Sequence, residues 1–457
     1  MMRAFELNEL VPVLGARLQG DSCTITRVVT DSRRLEPGDL FVALRGPSFD
    51  GHDFVGAAEL KGAAAVIVSR AVDTALPQLV VTDTLQALGR LGGFNRSLFR
   101  GPVFAVTGSG GKTTVKEMLA RLLATRGPVL ATRGNLNNEI GAPLTLLELS
   151  GEHRSAVVEL GASGPGEIAR MTAMTRPDVA ILNNAMSAHL EGFGSLDGVV
   201  QAKGEIFSGL PEGGVGVVNL DSPHAATWIN RLQRLQRRMI SFGVENGAAG
   251  VNATRLEMNA DGSWRFVLDD GTDQLPVSLR LLGRHNVANA TAAAAAWVAS
   301  GQPLTSIAGV LEQCAPVAGR LCPHRLVSGA LVIDDSYNAN ADAMKAAIDL
   351  LAQLPGERVL VLGDMAELGD QSLQLHEEIG HYAAERNIDR LLVTGAAMRR
   401  AADAYSKRRP GAKHFDTQAQ LITRIQALPQ SKLTLLVKGS RSAAMDRVVE
   451  ALLKGDN

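Results

Sequence analysis

A chain of 457 residues exceeds what one hydrophobic core organises, and at about 150 residues per domain it divides into about three. Hydrophobic residues make up 46% of it, which excludes wholesale disorder. With 46 basic against 47 acidic residues and a net charge of -1, it has no general field for nucleic acid, so any anionic ligand must be held by a few placed groups.

The opening stretch MMRAFELNEL has no apolar core of signal-peptide length, and no run of 18 apolar residues occurs. A soluble, cytoplasmic protein is expected. Cys23, Cys314 and Cys322 are odd in number and widely spaced, which fits small hydrophobes in a reducing compartment rather than a disulfide framework. Through residue 85, ITRVVTDSR, DLFVAL, AAAVIVS and QLVVT read as strands and FVGAAELKGA as a helix. LQALGRLGGFNRSLF then reads as a helix leading into the strand VFAVTG.

Over residues 86–313, VFAVTG, SAVVELG, VAILNN and GVGVVNL alternate with helices. Continuous apolar runs of this kind suit a parallel sheet covered on both faces. RLEMNADGSWRFVLDDGTDQLPVSLRL differs, because its Asp-Gly turns between alternating stretches predict an antiparallel excursion. The alanine tract Ala292–Ala296 is too short to span a bilayer. Over residues 314–457, GALVIDD, RVLVLGD, DRLLVTG and TLLVKGS run into Gly or Asp, where open α/β sheets usually bind ligands. Three α/β units are expected, at 1–85, 86–313 and 314–457, with clefts between them as default sites.

The strongest local signal is Thr107-Gly108-Ser109-Gly110-Gly111-Lys112-Thr113-Thr114, after a strand and before the helix VKEMLARLLA. Glycines let backbone N–H groups converge on phosphate oxygens, and the helix N-terminus favours negative charge. Lys112 would reach the β- and γ-phosphates and Thr113 would ligate Mg²⁺. A glycine-rich helix cap is the weaker reading. The general pattern G-x-x-x-x-G-K-T would put its first glycine at Val106; here the glycine is Gly108, giving a shortened loop.

The next strand delivers Glu159, and VAILNN is followed by Ala185–His189, so acidic and imidazole groups lie at strand ends flanking the loop. Taken singly, Glu159, His189 and Lys203 would be a cap, a structural imidazole and a surface lysine. Gly164-Pro165-Gly166-Glu167-Ile168-Ala169 matches a dinucleotide fingerprint, but the following strand ends in Asn183-Asn184 with no acidic residue for a ribose. A dinucleotide oxidoreductase is rejected as the main reading.

Together these residues resemble the Mur ligases of bacterial cell-wall synthesis over essentially the whole chain. TGSGGKTT, NLNNEIGAP, VELGAS, NNAMSAHLEGFGS, AKGEIFSGLP, LGRHNVANATAAAA, DDSYNAN, VLGDMAELG and VKGSR follow in the family's order. The resemblance implies a small uridine-nucleotide-binding α/β domain, a central P-loop parallel-sheet ATPase domain and a C-terminal Rossmann-like α/β domain. It implies an ATP-dependent, ADP-forming amide ligase that joins D-Ala-D-Ala to UDP-MurNAc-tripeptide through an acyl phosphate. The alternatives are a sister ligase adding the third amino acid to the dipeptide and a nucleotide-gated binding module.

In this reading ATP is held by Thr107 to Thr114, with Asn286 near the adenine beside His285, Arg320 at the γ-phosphate and Asp335 at the ribose. Two magnesium sites are expected: Thr113 and Glu159 at one, His189 and Lys203 at the other. Lys203 would serve only as a CO₂-derived carbamate, because an ammonium cannot ligate a cation. The catalytic set is Lys112, His189, Lys203 and Arg320. Asp31, Ser32 and Arg33, with Asn137 and Asn138, are assigned to the UDP substrate. Ala341 departs from the Pro usual after Asn340, which bears on the local turn. A monomer with no nucleic-acid or membrane partner is expected, while the choice of diaminopimelate or lysine at the third peptide position is left open.

Overall fold

The protein, seen here as a computed structural model describing residues 3–429 and 432–455, forms three main sheets in chain order. Met1 and Met2, at the head of the stretch examined for a signal peptide, lie outside the described residues. The first sheet holds β1 (Arg17–Gln19), β2 (Val28–Val29), β3 (Leu40–Val42), β4 (Ala65–Val68) and β5 (Gln78–Val80) in the order β1-β5-β4-β3-β2, with only β1 antiparallel. The run ITRVVTDSR is not one strand. Thr24–Ile25 pairs separately with Phe5–Glu6, and Arg27 turns to grip Asp39 at 2.7 Å before β2 begins.

Helix α1 (Thr84–Leu98) begins at Asp83, whose carboxylate accepts from the Leu85 and Gln86 N–H groups. Its Ala87, Leu88 and Leu91 complete the first core. Gly92 on the same helix packs against the next domain so closely that a Cβ there would stand 2.8 Å from Pro143 Cα. One helix thus serves two domains.

The central sheet contains β6 (Val103–Thr107), β7 (Val129–Ala131), β8 (Ser155–Glu159), β9 (Val179–Leu182), β10 (Val215–Asn219), β11 (Arg238–Gly243), β12 (Val251–Met258), β13 (Trp264–Asp269) and β14 (Gln274–Leu279). Their order is β7-β8-β6-β9-β10-β11-β12-β13-β14, parallel through β12 and antiparallel after it. Phe104 and Val106 point to one face, with α2 (Lys112–Ala124) and the alanine-rich α3 (Arg284–Ala299); Val103 and Ala105 point to the other, with Ile168, Val199 and Trp228. Covering both faces is what makes these strands read as unbroken apolar runs, each buried side chain contributing about 1.5–3 kcal/mol. Alanine at 292–296 lets α3 sit close on the sheet, all five being fully buried. The switch in chain direction falls at β6, so a ligand crevice is expected at its carboxyl end.

The third sheet runs β15-β16-β20-β17-β18-β19, built from β15 (Cys322–Arg325), β16 (Leu331–Asp335), β17 (Glu357–Leu362), β18 (Arg390–Thr394), β19 (Ala412–Phe415) and β20 (Leu433–Lys438). Only β15 is antiparallel, and β20 inserts between β16 and β17. That insertion brings Lys438 beside Asp335. Among the described residues no helix is long and apolar enough to cross a membrane.

Candidate active site

Strand β6 ends at Thr107, whose buried hydroxyl donates to the Leu160 carbonyl at 2.7 Å. The chain then turns through Gly108 to Gly111 before α2 starts. Gly111 has φ 75°, a left-handed conformation that glycine adopts freely. A Cβ there would stand 2.3 Å from Asn289 Oδ1 and 2.5 Å from Asn183 Nδ2, so no side chain fits. Asn183 Nδ2 donates to Asn289 Oδ1 at 2.9 Å and to the Gly110 carbonyl at 3.0 Å, while the Gly110 N–H donates to Asn184 Oδ1 at 2.8 Å. The loop is therefore held in shape by three asparagines.

Lys112 Nζ donates to the Gly108 carbonyl at 2.8 Å, a fold-back that a phosphate oxygen can replace. Desolvation lowers its pKa; Glu159 opposes this, and the positive charge of Arg320 reinforces it. Thr113 Oγ1 donates to Glu159 Oε2 at 2.9 Å. The other carboxylate oxygen accepts from Asn137 Nδ2 at 2.7 Å, and the Glu159 N–H donates to Thr132 Oγ1 at 2.9 Å. A hydroxyl and a carboxylate side by side at the loop form the hard-oxygen set magnesium prefers, so Thr113 and Glu159 fit as its ligands.

The second expected metal position is built differently. Among the described residues no three His, Cys, Asp or Glu side chains converge as a metal set. Lys203 is buried, donates to the Ala162 carbonyl at 3.3 Å and lies 5.2 Å from the centre of the Phe193 ring. Burial, reinforced by the charge of Lys112, pulls its pKa from 10.5 to about 7. A substantial neutral-amine fraction at neutral pH can react with CO₂, and the resulting carbamate would let Lys203 offer magnesium an oxygen, which its ammonium cannot. His189 has φ 54° and its Nδ1 is paired with Glu367. Burial lowers its pKa, against the pull of that carboxylate.

The third domain forms the facing wall. Arg320 Nη2 donates to Thr113 Oγ1 at 2.9 Å, and its guanidinium lies 4.3 Å from the centre of the Tyr337 ring. Asp335 Oδ2 pairs with Lys438 Nζ at 2.5 Å, and Lys438 also donates to the Asn338 carbonyl at 3.0 Å. Asn340 Oδ1 accepts from the Ala343 N–H at 2.8 Å, capping the helix that starts at Ala341. Proline is favoured at that first helical position but not required, so Ala341 leaves the turn intact.

These walls enclose a cleft of about 470 Å³ lined by Ser109 to Lys112, Thr114, Asn137, Asn138, Glu159, His189, Asn286, Arg320 and Asp335. Thr107, Gly108, Thr113 and Lys203 are not on its lining; Thr113 reaches its edge through Glu159 and Arg320. Asn286 is buried, donates to the Leu282 carbonyl at 2.8 Å and accepts from Asn289 at 2.9 Å. Asp31, Ser32 and Arg33 lie elsewhere, in a short turn of the first domain where Lys61 donates to the Ser32 carbonyl at 2.8 Å. Hydrogen bonds from the Arg33 side chain and N–H hold the Asp31 carboxyl at a pKa of about 2.

Asn137 and Asn138, assigned with that turn to the UDP substrate, line the cleft. Asn137 holds Glu159, and Asn138 Oδ1 caps helix Gly141–Leu147 through the Gly141 N–H at 2.8 Å. Residues the sequence did not single out also matter here. Lys438 holds Asp335, Tyr337 supports Arg320, and Glu367 meets His189. They lie in VKGSR, DDSYNAN and VLGDMAELG, and the partners of Lys438 and Glu367 are 103 and 178 residues away in the chain.

Three family models match the chain. One described as Mur ligase family, catalytic domain, covers residues 24–91; Mur ligase middle domain covers 106–297; Mur ligase, glutamate ligase domain, covers 319–441. The UDP-N-acetylmuramoyl-tripeptide--D-alanyl-D-alanine ligase of Escherichia coli K12 is 46% identical over 453 residues, 99% of each chain. A crystal structure of MurF from Acinetobacter baumannii superposes with a TM-score of 0.93 at 38% identity, covering 99% of both chains. A MurF ligase from Thermotoga maritima, solved in complex with ADP, superposes with a TM-score of 0.83 at 29% identity over 94% of this chain and 97% of that one.

Proposed function

The chain belongs to the Mur ligase family, and from that premise we propose that it joins D-alanyl-D-alanine to UDP-N-acetylmuramoyl-tripeptide, converting ATP to ADP and phosphate. The observation that carries the reaction is the convergence on one cleft of the phosphate loop from the middle domain with Arg320 and Asp335 from the third. Whole-length likeness to D-alanyl-D-alanine-adding relatives supports the choice of substrates. It favours this reading over the sister ligase that adds the third amino acid.

The tripeptide's terminal carboxylate attacks the γ-phosphorus in line, forming an acyl phosphate and releasing ADP. Lys112 leaves the Gly108 carbonyl to neutralise the β- and γ-phosphate oxygens, while Arg320 reaches the γ-phosphate from the facing wall. Asn286, beside His285, lies near the adenine, and Asp335, oriented by Lys438, takes the ribose. Magnesium held by Thr113 and Glu159, with a second ion served by His189 and carbamylated Lys203, would supply Lewis-acid neutralisation of the transferring group. The amine of D-alanyl-D-alanine then attacks the acyl carbon, and the tetrahedral intermediate expels phosphate. Water would hydrolyse the acyl phosphate, so the two walls must stay closed during both steps. Asp31, Ser32 and Arg33 hold the uridine nucleotide at the first domain. The chain acts in the cytoplasm as a monomer and completes the pentapeptide precursor.

The test is phosphate release with ATP, Mg²⁺, UDP-MurNAc-tripeptide and D-Ala-D-Ala, each omitted in turn, with mass spectrometry of the nucleotide product. Release that needs all four and yields the pentapeptide is expected. Extension of a dipeptide substrate by a free amino acid instead would make the sister reading correct.

A further inference from the structure

The ring of His189 meets a carboxylate from another domain, that of Glu367, 178 residues away in the chain. Both residues have left-handed backbones, φ 54° at His189 and φ 59° at Glu367. Neither is glycine, and such conformations persist where the surroundings enforce them, most often at functional positions. A backbone contact runs beside the pair, the Glu191 N–H donating to the Glu367 carbonyl at 3.4 Å. A second tie lies nearby, where the Ser187 N–H donates to Asp342 Oδ2 at 3.2 Å.

The Glu367 side of this contact is rigidly mounted. Met365 and Leu368, flanking it, are buried in the third domain's core. The Met365 N–H donates to Nε2 of the fully buried His376, whose Nδ1 donates to the Ser372 carbonyl at 2.7 Å. Asp364 accepts from the Met398 N–H at 2.8 Å, and its carbonyl accepts from the Ser440 N–H at 2.9 Å. The carboxylate of Glu367 itself is about half exposed. A contact that open contributes little to folding, so an anchored, strained loop that presents it across a domain boundary calls for another role.

We propose that Glu367 is a positioning residue that fastens the third domain to His189, holding the cleft closed over its nucleotide and the imidazole in one orientation. This rests on the ligase reading for its consequence in turnover, but the closure itself is independent of the substrates' identity. The middle domain alone carries the phosphate loop, so the loop's hold on phosphate survives without the latch, whereas closure and the third-domain contacts it brings are weakened.

The experiment compares the full chain with Glu367→Ala and Glu367→Gln by small-angle X-ray scattering, with and without Mg²⁺ and a non-hydrolysable ATP analogue. The wild type contracts on adding the analogue, Glu367→Ala contracts less, and Glu367→Gln, which keeps an acceptor for the ring N–H, falls between. In the ligation assay Glu367→Ala loses about 10- to 100-fold in kcat, and its thermal midpoint does not move. A variant that contracts as the wild type does, or a wild type that does not contract at all, overturns the latch. Reduced contraction with unchanged kcat overturns its place in the reaction. If the wild type forms no amide, the ligase reading fails, and the scattering comparison still decides the latch.

Discussion

The two walls of the cleft are made in opposite ways. The middle-domain wall is a contiguous loop, Gly108 to Thr113, shaped by glycine backbone and locked by three asparagines. The third-domain wall is a set of side chains gathered from distant segments, with Arg320 steadied by Tyr337 and Asp335 by Lys438, 103 residues further on. The first wall is rigid and complete within one domain; the second exists only when the third sheet has folded and closed. Phosphate binding and phosphate transfer therefore make different demands on the fold, and mutations can separate them.

The largest effect is expected at the rigid wall. Lys112→Ala removes the loop's mobile cation and should lower turnover by at least about 10³-fold, measured as phosphate release, while ADP binding weakens far less. Gly111→Ala forces a Cβ into Asn289 and Asn183 at a left-handed position. A loss of stability of about 1–3 kcal/mol and defective nucleotide binding are expected, read by denaturant unfolding and calorimetry. If either change left turnover intact, the middle-domain wall would not be the phosphate site.

Lys203 sharpens the comparison through pH. Its pKa in the fold, about 7, lies below the 10.5 of the free side chain. Between those values the folded chain binds fewer protons than the unfolded one, so this group's contribution to stability rises with pH across that window. Lys203→Met should therefore exceed the wild type by about 1–3 kcal/mol near pH 6, in CO₂-free buffer, and the gap should close towards pH 10. A pH-independent gap would mean that Lys203 is not charged at a cost, and the case for its carbamate would lose its physical basis.

The facing wall is expected to be less sensitive. Asp335→Asn leaves Lys438 without its ion pair and should raise KM for ATP about tenfold, with the protein still folded. Smallest in its structural effect is Arg33→Ala, far from the cleft. It should leave the thermal midpoint unchanged, because the Asp31–Arg33 pair is open to solvent, yet raise KM for the UDP substrate alone. An equal effect on KM for ATP would contradict the separation of the two sites.

What the sequence made legible follows the same division. The loop from Thr107 to Thr114 could be read directly, because its chemistry is local: glycines, a lysine and a threonine between a strand and a helix. The buried strands of the central sheet were legible because both faces are covered, and the hairpins β12 to β14 because Asp-Gly turns interrupt alternating segments. Short or polar strands such as Val129–Ala131, Arg238–Gly243 and Ala412–Phe415 were not, since they carry too little apolar pattern. Arg320 and Asp335 were reached only through a family resemblance. The pairs Asp335–Lys438 and His189–Glu367 had no local signal, because tertiary folding alone brings them together. That Asn137 would hold Glu159 had no local signal either, since only the fold brings their two segments together.

The central claim is that ATP activates the tripeptide's own carboxylate within the closed cleft. UDP-MurNAc-tripeptide labelled with oxygen-18 in its terminal carboxylate tests it most directly, by mass spectrometry of the phosphate released during ligation. An acyl phosphate carries one labelled oxygen across to phosphorus, so each phosphate released should contain a single oxygen-18. Unlabelled phosphate accompanying amide formation would contradict the account, because the carboxylate would then never have been phosphorylated.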